Sequence, residues 1–159
     1  MKPEDKNLLV KDLCARLPYQ VKVSVNGGKE PWTLKGMFEG EHTGMMLILE
    51  PSFPSKDVSP QTSNWQLSQC KPYLRPMSSM TEEEKRTLQS FYPMPFGNQY
   101  LDLDKEKIEL YECDSTMELN LYDSVQMVDF CKKNHLDCYG LIKKGLALST
   151  EIYNPYVED

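Results

Sequence analysis

The sequence predicts an α+β protein: an N-terminal helix, a small SH3-like curled sheet or barrel, and an acidic α/β second half. Three observations lead there. Leu9, Leu13 and Leu17 recur at helical spacing, several short strand patterns follow between tight-turn residues, and a proline-marked run near residue 75 closes on a helix start. The expected division is 1–77, a helix plus barrel-like β region, and 78–159, an acidic α/β region packed on the first as one compact unit.

Residues 3–17 read as the first helix. Pro3 suits a first helical position, Glu4 and Asp5 favour the positive end of the helix dipole, and Arg16 favours the other. Val10 and Cys14 widen the leucine stripe, and Pro18 stops it. In 20–25, Val21, Val23 and Val25 alternate with polar residues, the period-two mark of a half-buried strand. Asn26-Gly27-Gly28 is a turn, because Asn and Gly accept positive φ. A second strand is expected over 32–39, with Trp32, Leu34 and Phe38 inward. Met45 to Leu49 reads as a central strand buried on both faces. Residues 51–63, with three prolines and four serines, read as a loop. Extended structure resumes at 65–67 and 70–75.

The run from Leu67 to Lys85 is the hinge of this reading. Pro72 and Pro76 forbid a helix, whereas Thr81 with Glu84 three residues on is a capping box. The helix that follows runs to about Phe91, buries Leu88, Phe91 and Tyr92, and ends at Pro93 and Pro95; 93–100 is a linker. Strands are expected at 107–112 and 117–121. Asp123 is expected to cap a third helix, with a Tyr122/Met127 staple and a buried stripe of Val128 and Cys131 edged by Met127 and Phe130. Residues 137–142 read as one helical turn, and 146–148 return to the sheet.

Charge divides the chain. Residues 1–77 hold ten Lys and Arg against eight Asp and Glu; residues 78–159 hold eight against sixteen. An anionic second half repels a phosphate backbone, so nucleic acid is a disfavoured partner. No apolar run approaches the roughly 18–20 residues that cross a bilayer. The start of the chain lacks the apolar core of a signal peptide. A cytoplasmic protein is expected. Five scattered cysteines with no CxxC pair fit reduced thiols better than a disulfide framework.

Four constellations can carry chemistry. Cys131, His135 and Cys138 form C-x3-H-x2-C, and Cys113 or Asp137 would complete a zinc shell. The paired short spacings of structural zinc are missing, however, so core cysteines beside a helix-end histidine are the preferred reading, and no metal or other cofactor is expected. Cys131 and His135 as nucleophile and base lack a third group to orient the imidazole. The acidic residues of 102–129, among them Glu109 and Asp114, would hold a divalent metal against a phosphate-containing substrate; a solvated acidic face is the simpler account. Lys71, Tyr73 and Arg75 share one face of a strand by period two and make the best candidate binding row, for an anion, a nucleic-acid strand or an acidic peptide. Its competitor is a solvent face whose prolines protect an edge. No P-loop, GxGxxG, GxSxG or HExxH motif occurs.

The segments 12–23 (DLCARLPYQVKV), 71–85 (KPYLRPMSSMTEEEK) and 134–148 (NHLDCYGLIKKGLAL) resemble a group of small uncharacterised proteins encoded in bacteriophages and prophages of gut anaerobes. The resemblance brings no activity, cofactor or catalytic residue. It implies a phage-derived protein working inside an infected bacterial cell. The expectation is therefore a non-enzymatic accessory protein, counter-defence or regulatory, gripping a host or phage protein. Its alternatives are the metal-dependent enzyme on the 102–129 carboxylates and a nucleic-acid binder on Lys71, Tyr73 and Arg75.

Overall fold

The computed structural model describes residues 1–52, 61–91, 101–102, 109–110 and 121–157, with 101–102, 109–110 and 121–124 described by their backbone. Helix α1 (Pro3–Arg16) has Pro3 at its first turn and passes into a 3-10 turn over Leu17–Tyr19. The strands β1 (Lys22–Val25), β2 (Trp32–Gly40), β3 (Gly44–Pro51), β4 (Ser63–Gln66) and β5 (Cys70–Leu74) follow. Helix α2 (Glu82–Ser90), the short strands β6 (Leu101–Asp102) and β7 (Glu109–Leu110), helix α3 (Leu121–Lys133) and strand β8 (Leu148–Ser149) complete the order. The protein is α+β.

Six strands form one sheet in the order β4-β3-β2-β1-β5-β8. All pairings are antiparallel except β5 with β8, where Tyr73 faces Leu148 and Leu74 faces Ser149 in parallel register. The sheet is open where a curled barrel was expected. The outer edge of β5, which a closed barrel would return to β4, is taken by β8 from the second half. β6 and β7 pair with each other in a separate two-stranded ribbon.

Alternation holds in β1, where Val21, Val23 and Val25 are buried, but Ser24 is buried too. In β2 the register slips between Leu34 and Gly36, so Lys35 bulges outward and the later residues change phase. Phe38, expected inside, is therefore exposed. β3 buries Leu47 and Leu49 fully and their neighbours only in part, so it is covered chiefly on one face. Leu9 and Leu13 of α1 and Leu34, Leu47, Leu49 and Leu74 of the sheet form the larger core, capped by Leu141 and Ala147.

A smaller core gathers Met77, Met80, Leu88, Met127, Cys131 and Leu136. The capping box forms as expected: Glu84 N donates to Thr81 Oγ1 at 3.2 Å and Thr81 N donates to Glu84 Oε2 at 2.8 Å. Helix α3 starts at Leu121, two residues before the expected cap, so the backbone of Asp123 lies in its first turn. Its buried stripe is Met127 and Cys131, one turn apart; Val128 faces solvent. The expected linker at 93–100 lies outside the described residues, as do most of the strands expected at 107–112 and 117–121. Within the latter, Glu109–Leu110 pairs with Leu101–Asp102, and Leu121 is helical.

Candidate functional site

α3 ends in a Schellman-type turn. Leu136 N donates to Cys131 O at 2.8 Å and His135 N to Lys132 O at 3.2 Å, while His135 sits at φ 56° where glycine is usual. The chain then locks onto β5: Arg75 N donates to His135 O and Asp137 N to Arg75 O, both at 2.8 Å. Asp137, buried, accepts from Leu141 N and Ile142 N at 2.8 Å each, which folds 137–142 into a tight turn. These contacts fix Cys131, Lys132, Cys138 and Tyr139 around one point.

Beneath that point lies a buried charged group. Asp12 and Arg16, one turn apart on α1, pair through two hydrogen bonds of 2.7 and 3.2 Å. Lys132 Nζ donates to Oδ1 of the same carboxylate, the oxygen that also accepts from Arg16 Nη2. All three residues are at most 1% exposed. Two cations on one carboxylate leave a surplus positive charge, which must be answered locally in so dry a site. Arg16 donates to Lys132 O at 3.4 Å, at the negative end of α3, and to Leu136 O at 2.7 Å, in the turn that follows it. Lys132 Nζ lies 3.8 Å from the centre of the Tyr139 ring and 3.3 Å from Cys138 Sγ.

Cys138 answers the rest of that charge. The hydrogen bond from Cys131 lowers its pKa, burial works against this, and the charges of Lys132 and Arg16 add to the lowering; the thiol is brought down to about 6. Cys131, which keeps the proton facing Cys138 and is itself buried, is pushed up. Both shifts favour the proton on Cys131 and the negative charge on Cys138, beside the Lys132 ammonium. Cys131 is fully buried, whereas Cys138 is half-buried and opens on a groove of about 760 Å³. Pro76, Met77, Tyr139 and Ile142 give the groove apolar surface, and the exposed Lys143 and Lys144 stand at it.

His135 turns elsewhere. Its ring stacks on Tyr156 at 4.1 Å, and its Nδ1 is buried without a partner among the described residues. Burial, then the charges of Arg16, Arg75 and Lys22, lower its pKa to about 4. With Tyr19, Gln20 and Tyr156 it lines a second cavity of about 340 Å³. The C-x3-H-x2-C pattern is thus divided: the two cysteines meet and the histidine does not join them. Among the described residues no three His, Cys, Asp or Glu side chains gather as a metal shell.

The row expected on β5 is divided as well. Lys71 is exposed, but Tyr73 is 4% exposed and meets Tyr153 edge to face at 5.6 Å. Arg75 forks onto both oxygens of Glu84 at 2.7 and 2.9 Å and donates to Ser79 O. That fork, with the hydrogen bonds from Thr81, holds the Glu84 carboxyl below its usual range. The alternation fails because β5 is covered on both faces, by α1 and the larger core on one and by the 148–156 segment on the other. Of the 102–129 carboxylates, Asp129 accepts a hydrogen bond from Tyr19 OH. The backbones of Asp102 and Glu109 face each other in the β6–β7 pair, and most of the others lie outside the described residues.

Asp12, Arg16 and Lys132 escaped the sequence reading, although a signal was there. Asp12 and Arg16 each lie three residues after a stripe leucine, on the face that turns inward. No protein family, curated protein or solved structure matches this chain.

Proposed function

We propose that this chain is a non-enzymatic binding protein of phage origin that acts through contact with a host or phage protein in the bacterial cytoplasm. The groove beside Cys138 is the observation that carries the reading. It offers Met77, Tyr139 and Ile142 to an apolar side chain, and Lys143 and Lys144 to an acidic neighbour in the partner segment. Its walls come from 76–78, 137–144 and Ser149 of β8, and the hydrogen bonds between Arg75 and the backbone of His135 and Asp137 tie the first two together, which limits the ordering cost of binding. The resemblance of 71–85 and 134–148 to phage proteins supports the cellular setting, since those two segments build most of the groove. The acidity of the second half then serves to reject nucleic acid as a competitor.

The test is capture from lysate of a phage-infected bacterium, followed by calorimetry on the captured protein once purified. Lys143→Glu with Lys144→Glu, and separately Tyr139→Ala, should each weaken binding about tenfold or more. Phe38→Asp, on the sheet, should leave the affinity unchanged. Affinity indifferent to the groove substitutions would refute the assignment.

A further inference from the structure

We propose that Cys138 and Cys131 form a redox-active dithiol, in which Cys138 accepts small-molecule disulfides from the groove and Cys131 resolves the adduct into an intramolecular disulfide. The geometry separates the two roles. Cys138 reaches the groove and has the Lys132 ammonium 3.3 Å from its sulfur. Cys131 is sealed in the smaller core, and Cys138 packs against that core from the groove side, so an adduct on Cys138 is the electrophile placed to meet it. Both cysteines are free in this structure, as are Cys14, which is exposed, and Cys70, which is buried. The proposal is independent of the protein-binding reading.

The exchange balances in two steps. The Cys138 thiolate attacks one sulfur of a disulfide RSSR; a new Cys138–SR bond forms, the RS–SR bond breaks, and the departing RS⁻ takes a proton from solvent. Cys131 then releases its proton to solvent and its sulfur attacks Cys138 Sγ. The Cys131–Cys138 bond forms, the Cys138–SR bond breaks, and the second RS⁻ is protonated. Two protein thiols are oxidised and one disulfide is reduced to two thiols. Once the bond has closed, Lys132 no longer faces a thiolate, and its ammonium is left with Asp12 and the Tyr139 ring. Lys132 and Lys133 lie between the two cysteines, so trypsin places them on distinct peptides; Cys113 shares the Cys131 peptide, so fragmentation of the linked pair assigns the bond.

The experiment incubates the full chain with oxidised glutathione, blocks remaining thiols with iodoacetamide and maps the tryptic peptides by fragmentation, which separates Cys131 from Cys113. Wild type should accumulate the Cys131–Cys138 disulfide with little glutathione left on Cys138. Cys131→Ser should trap the mixed disulfide on Cys138, about tenfold above wild type at the same time point. Cys138→Ser should give neither species. Three results would each overturn the proposal: an adduct that persists on wild-type Cys138 as it does in Cys131→Ser, a first adduct on Cys131, or oxidation confined to Cys14. The wild-type map decides by itself should either serine variant fold poorly.

Discussion

The two cores of this molecule are built from different side chains. The larger is leucine and valine from α1 and the sheet, whose staggered rotamers interlock. The smaller is three methionines, two leucines and a cysteine, longer or softer groups that adapt to their surroundings. Between them stands the Asp12–Arg16–Lys132 group, which ties α1 to α3 by direction and charge rather than by shape. The contrast teaches that the aliphatic core fixes the sheet, whereas the orientation of the thiol-bearing region depends on a polar joint. The lowering of the Cys138 pKa comes first from the Cys131 hydrogen bond, and the charges of Lys132 and Arg16 at that joint add to it.

The largest effect should come from breaking the joint. Asp12→Ala leaves two buried cations without their carboxylate and should cost about 3–5 kcal/mol in urea unfolding. A loss under about 1 kcal/mol would show that water reaches the group. Next come the cores themselves. Leu47→Ala in the sheet should cost about 2–5 kcal/mol, whereas Met127→Leu in the smaller core should cost under about 1.5 kcal/mol. Equal losses would erase the distinction drawn here.

Acid should act next. His135 has its pKa depressed in the folded state to about 4, against about 6.5 when unfolded. Protonation therefore favours the unfolded chain, and stability falls as pH drops from about 6.5 through 4, by on the order of 2 kcal/mol. His135→Gln should flatten this part of the stability profile; an unchanged slope would assign it to other groups. Smaller still, Thr81→Ala removes one side of the capping box and should cost about 1 kcal/mol. The finest test reads the thiol alone. Between pH 8 and 6.5 the alkylation rate of N-acetylcysteine falls about twentyfold, and that of Cys138 should fall less than about twofold. Parallel profiles would mean that Cys138 is an ordinary thiol.

Local signals were the legible ones. Thr81 with Glu84, the valines of 21–25, and Leu9 with Leu13 announce their structure within a few residues, because capping and periodicity are short-range physics. The bulge at Lys35 is invisible to a period-two count, so Phe38 was placed inside. Lys132 reads as a helix-end cation because its burial depends on Asp12, a residue on another helix. The site shared this fate. Cys131 and Cys138 stand out by spacing, but the histidine between them raises a metal shell only as the lesser reading beside two core cysteines. Only the left-handed turn at His135, which sends its ring to Tyr156, separates the three.

β8 has one more consequence. It is two residues long and is made well after β5, yet it covers the flank of that strand. A nascent chain on the ribosome therefore carries that flank bare until residue 149 clears the exit tunnel. Release of a product truncated after Gly145 would leave the flank permanently open to a second copy, and such fragments should precipitate where the intact chain stays dispersed.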